Sequence, residues 1–210
     1  LYVGEGLPEN MWGLVDLMNL GPVLTSMAKT GVGTVEPRSP SLTMIGPDLD
    51  PAIDGLLWKV PNFAPSDCYS PTCHRINFFF GPSYHHPQLN QATHNALRHL
   101  FGPVHPKPFQ HIAKIFGQGH AVSMDGKTNY LDGVARMTMP VHFIAGDCNQ
   151  EMMPEATIRS LKWLQDAFPD HQSRYSRKVI PHYGHMDCFI GKDAARDVFQ
   201  HLLATLDDTT

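Results

Sequence analysis

Residues 175–191 read YSRKVIPHYGHMDCFIG, and the fold turns on how that stretch divides. Residues 176–180 predict a short strand. Pro181 opens a loop bearing His182, Tyr183, Gly184 and His185, and Asp187 follows as the chain runs towards a helix. A histidine on a loop just past a strand, beside a glycine that lets backbones approach closely, is where a general base is presented to a cleft. Two imidazoles compete for that role. His182 directly follows the strand-ending Pro181, whereas His185 follows Gly184 and precedes Asp187, whose carboxylate is placed to cap the next turn and hold the loop. The reading favours His185 as the base, with His182 a tolerant neighbour.

Working back from this loop, the run 141–145 (VHFIA) has the length and apolar character of a buried parallel strand. It ends in Gly146-Asp147-Cys148-Asn149, polar groups at the carboxyl end of a strand, where open α/β sheets place their sites. Pro154 and Glu155 open a helix whose Ile158, Leu161, Leu164 and Phe168 recur at helical spacing. A last helix is predicted over 193–206, with Ala195, Val198, Leu202 and Leu206 as its buried face. The order is strand, acidic loop, helix, strand, histidine loop, helix. Asp147 and His185 are 38 residues apart, the length that one crossover helix requires.

Earlier in the chain the character differs. Residues 10–29 are helix-like, with Asn10 as N-cap and a break at Gly21-Pro22. Nine of the 18 prolines fall between Pro37 and Pro87. Each proline removes a ladder donor, so this stretch is not the interior of a sheet. Trp58, Phe63, Tyr69 and the run Phe78-Phe79-Phe80 instead suggest an ordered cap with an apolar face. Helices follow over 88–101, with Leu89, Ala92, Ala96, Leu97 and Leu100 on one side, and over 108–116. The expected organisation is a helical, proline-rich cap over residues 1–139 and an α/β strand-helix-strand-helix unit over 140–210.

The balance of residue types narrows the function. With 210 residues and 42% hydrophobic content the chain can build a core. A net charge of −4 with 17% charged residues offers no basic stripe for nucleic acid. No window approaches the eighteen apolar residues of a membrane span. The opening LYVGEG has neither an initiator Met nor a signal-peptide pattern, so a longer parent is expected. Four scattered cysteines suit a reduced, cytoplasmic protein. Cys68 and Cys73, five apart, read as too widely spaced for a CxxC redox motif or a zinc knuckle. The spacings of His85, His86, His94, His99, His105 and His111 fit no metal template and HExxH is absent, so no metal site is expected.

Three longer segments, PSDCYSPTCHRINFFFGPSYHHPQLN, THNALRHLFGPV and SRKVIPHYGHMDCFIGKDAARDVF, resemble the α/β-hydrolase-like region fused to FAD-dependent glucose-methanol-choline oxidoreductases that carry the label cholesterol oxidase. The likeness runs from about Cys68 to the C-terminus and corresponds to the C-terminal half of that region. It implies an incomplete, mainly parallel hydrolase-type sheet and a parent acting on a lipid or steroid ester. His185 would be the base, with the N-terminal half of the fold as a missing partner. The alternative is a non-catalytic module of such an oxidoreductase. Two departures bear on the choice. No G-x-S-x-G occurs in the sequence, so the nucleophile elbow, and the oxyanion-hole amides with it, would lie upstream of Leu1. The family's acid stands three residues after the strand-ending glycine, and here that position is Asn149. Asp147 or Glu151 would then orient the imidazole, or the amide would, and the reading ranks Asp147 slightly above Asn149 because a carboxylate does more for an imidazolium. Gly31-x-Gly33 and Gly117-x-Gly119 do not continue as G-x-G-x-x-G, so neither FAD nor any other cofactor is expected on this chain.

Overall fold

The computed structural model describes residues 68–100 and 106–207. The expected helix over 10–29, the cap up to residue 67 and the Gly31-x-Gly33 pair lie outside them. Within them the chain is mixed α/β. Helix α1 (Pro71–Phe80) leads through a 3-10 turn (His86–Gln88) to α2 (Gln91–Leu100), and α3 is Pro106–Gln118. A 3-10 segment, Tyr130–Arg136, precedes strand β1 (Val141–Gly146), helix α4 (Pro154–Ala167) and strand β2 (Tyr175–Ile180). Three short helices close the described chain: α5 (Asp187–Ile190), α6 (Ala194–Asp197) and α7 (Phe199–Asp207).

The two strands pair in parallel, from Val141 opposite Tyr175 to Gly146 opposite Ile180, so both chains leave the sheet at the same end. Helix α4 makes the crossover and packs on both strands. Pro154 starts it without wasting a donor, and Ala156, Ser160 and Leu164, four apart, form its buried row. Arg177 on β2 donates from Nε to Thr157 Oγ1 at 2.5 Å and from Nη2 to the Pro154 carbonyl at 3.1 Å, which ties the helix start to the sheet. The proline-rich stretch contributes a helix: Ser70-Pro71 begins α1, and Gly81, at φ 81°, ends it with its N–H on the Asn77 carbonyl.

Several expectations are corrected. The run at 141–145 is half-buried over Val141–Ile144 and buried only at Ala145 and Gly146. The last helix is not continuous: it breaks at Val198, where φ and ψ are −115° and −52°, into α6 and α7. Of its expected buried face only Val198 is buried. Ala195 is exposed, and Leu202 and Leu206 are 36% and 62% exposed. Ile158 of α4 and Leu100 of α2 are also exposed.

Two apolar clusters flank the histidine loop. Cys73, Ile76, Tyr84 and Leu97 form one, against which Met186 and Ile190 pack. Ile180, Tyr183, Cys188, Ala194 and Val198 form the other. No helix among the described residues is long and apolar enough to cross a membrane.

Candidate functional site

The loops after β1 and β2 meet because Gly146 has no side chain. A Cβ there would lie 1.9 Å from the Tyr183 carbonyl oxygen. In the space so left, Asp147 N–H donates to the Ile180 carbonyl at 3.0 Å and Cys148 N–H to that of Tyr183 at 2.9 Å. His182 sits at φ 64°, a left-handed conformation unusual for a residue with a side chain. Its N–H donates to Asp147 Oδ1 at 2.6 Å. Asp147 is therefore a clamp on the strained turn and not the partner of His185. The reading ranks Asp147 slightly above Asn149; in the structure Asp147 Oδ1 takes the His182 N–H, and the side chain that meets the ring is Asn149.

Asn149 meets His185, with Nδ2 3.3 Å from Nδ1 of the ring. The orientation of this buried amide is fixed by its other end, since Oδ1 accepts from Glu151 N–H at 3.1 Å and Met152 N–H at 2.8 Å. Those two backbone donors identify the oxygen, so the amine faces the imidazole. An amine only donates. Nδ1 of His185 is the acceptor, and the ring proton of the neutral imidazole belongs on Nε2. A general base in an acyl-transfer triad needs the opposite arrangement, with Nδ1–H held by an acceptor and Nε2 free to take the proton.

Glu151 lies within electrostatic range of the same ring. Burial pushes its carboxyl above the usual range, while His185 and the neighbouring Ser83 hydroxyl pull it back. Its Oε2 is buried without a hydrogen-bond partner. Asp187, fully buried, does not cap the turn after it but reaches back: Oδ2 accepts from Gly184 N–H at 2.8 Å and Oδ1 from His85 N–H at 3.1 Å. Desolvation raises its carboxyl, opposed by those two donors. His182 is exposed and its carbonyl accepts from Gln88 Nε2 at 2.9 Å. Beside the site, Asp147, Asn149, Gln150, Met153, Pro154 and Glu155 line a surface pocket of about 330 Å³.

A second constellation was not anticipated. One ligating atom from each of Cys68, Cys73, His86 and His94 lies within 4.8 Å of all the others, a set that could hold a metal ion where none was expected. All four cysteines are free thiols. The signal was in the sequence as C-x4-C-x12-H-x7-H. A gap of four lies inside the C-x2–4-C range of zinc sites, and only the last gap exceeds the usual three to five.

In chemical terms, the first site offers an imidazole N–H donor beside a half-buried acid, and the second offers two thiols and two imidazoles. The chain matches no protein-family model, no curated protein and no solved structure.

Proposed function

We propose that this chain is the C-terminal part of an α/β-hydrolase-type protein, fused in its parent to a cholesterol-oxidase-type oxidoreductase, in which the histidine loop binds a ligand instead of catalysing acyl transfer. The observation that carries this is the Asn149 amide. With Oδ1 held by two backbone N–H groups and Nδ2 turned to His185, the imidazole has Nε2–H to give and no lone pair there to accept a serine proton. An N–H of that kind donates to a carbonyl oxygen, which suits recognition of a lipid or steroid ester without its hydrolysis.

Ester hydrolysis with His185 as base is the second reading, favoured by one observation, the Glu151 carboxyl in electrostatic range of the ring. A carboxylate able to accept from His185 would stabilise an imidazolium. Long-range proton–nitrogen NMR on the His185 ring separates the two. The binding reading expects the Nε2–H tautomer of the neutral ring. An Nδ1–H tautomer would favour the hydrolase instead.

A further inference from the structure

We propose that Cys68, Cys73, His86 and His94 bind one zinc ion in a tetrahedral, structural site. The distances carry this. Zinc bonded at about 2.0–2.3 Å sets neighbouring ligand atoms about 3.3–3.8 Å apart. Nε2 of His94 lies 3.1 Å from Sγ of Cys73 and 3.4 Å from Sγ of Cys68. The whole set falls within 4.8 Å, and small side-chain rotations close the rest. The rings of His86 and His94 meet edge to face with centroids 4.9 Å apart. His86 Nδ1 is buried with no hydrogen-bond partner, a cost that the ring would not bear for packing alone.

The donor set selects the ion. Two thiolates and two imidazoles suit zinc, and no carboxylate is present to favour a hard cation. A two-iron cluster would hold its thiolates and its imidazoles on different metals, and the 3.1 Å approach of Cys73 to His94 is too close for that. Four protein ligands leave no open position for water or substrate, so the ion is structural and not catalytic. Cys68, Ser70, His86, Leu89, Asn90 and His94 border a surface pocket of about 330 Å³, which gives the ion a way in.

Tyr84 packs in one cluster with Cys73, and its hydroxyl is buried with no hydrogen-bond partner. It is free to turn towards a thiolate once one forms. His74 Nε2 lies 3.1 Å from the Cys68 carbonyl oxygen and steadies the first ligand's backbone. The ligands come from the segment before α1, from α1, from the 3-10 turn and from α2, so the ion would fasten the turn at residues 86–88 to both helices.

The test uses the full chain, purified under reductant without chelator, then stripped and titrated anaerobically with cobalt(II) as an optical stand-in. The expectation is one zinc per chain as purified. The cobalt form should show the intense visible bands of a tetrahedral centre with a sulfur-to-cobalt charge-transfer band. Cys73→Ser and His94→Ala should each weaken binding beyond the roughly 10–100-fold that outer-shell partners are worth, while Cys148→Ser leaves it unchanged. The wild-type cobalt spectrum needs no variant to fold. A weak octahedral spectrum, no uptake after reduction of a Cys68–Cys73 disulfide, or equal binding by Cys68→Ser/Cys73→Ser would overturn the site.

Discussion

Asn149 decides the protonation of His185, and a change of one atom reverses it. In Asn149→Asp one carboxylate oxygen still accepts from the Glu151 and Met152 amides, while the other replaces an amine with an acceptor. The imidazole should then switch to the Nδ1–H tautomer, read by the same NMR experiment. Asn149→Ala instead strands two part-buried backbone donors. It should cost about 1–3 kcal/mol in denaturant unfolding, a penalty that the Asp variant escapes. Asp187 yields a pH effect of definite sign. Burial raises its native pKa above the ordinary 3.8, so the folded chain keeps this proton to a higher pH than the unfolded chain does. Its contribution to stability is therefore greatest in acid and declines as pH rises from about 4 through the native value, by at most about 1.4 kcal/mol per pH unit. Asp187→Asn should flatten that slope in a pH series of unfolding midpoints. An unchanged slope would mean that the carboxyl titrates normally.

Among the elements, the junction of the two loops rests on Gly146. Its missing Cβ would sit 1.9 Å from a backbone oxygen that belongs to the other loop and cannot swing away. Gly146→Ala should fall in the exceptional class above about 4 kcal/mol, seen as loss of soluble or cooperatively unfolding protein. Gly117, near the end of α3, has nothing within 4 Å of its Cβ position, and Gly117→Ala should raise stability by about 0.5–1 kcal/mol in the same assay. This contrast also marks how far the sequence could be read. The strands β1 and β2, their common exit and the crossover helix were legible because an apolar run, a Gly-Asp step and Pro181 set their limits locally. So was the place of His185. The break at Val198 was not, because nothing in DAARDVFQHLLATLD interrupts helical spacing; the chain turns there to bury Val198 against Tyr183 and Cys188. Nor was the exchange of roles between Asp147 and Asn149. Which of two neighbouring polar side chains reaches a ring depends on the left-handed turn at His182, and a histidine gives no warning of it.

At the scale of the molecule, the segment around residues 83–88 is braced to the histidine loop and to the turn at Lys192. Met186 N–H donates to the Ser83 carbonyl at 2.7 Å, Lys192 N–H to that of Gln88 at 2.7 Å, and Lys192 Nζ to the Pro87 carbonyl at 2.8 Å. With Asp187 holding both His85 and Gly184, these bonds form one cooperative patch. In native-state hydrogen exchange the amides of His85, Gly184, Met186 and Lys192 should be protected to a similar degree, and Asp187→Ala should release all four together. Independent loss, one amide at a time, would show separate local contacts.

That brace also sets a schedule. The His85 amide and the Asp187 carboxylate are 102 residues apart in sequence. Synthesis proceeds at roughly 5–20 residues per second, so the segment at His85 is made on the order of 5–20 s before its partner exists. Closing so long a loop costs about 2 kcal/mol more than closing one of ten residues, and no nearer carboxylate in the described chain takes Asp187's place. For that interval on the ribosome Cys73, Ile76, Tyr84 and Leu97 have one another but not Met186 or Ile190, and a helper that shields apolar surface has its opportunity there.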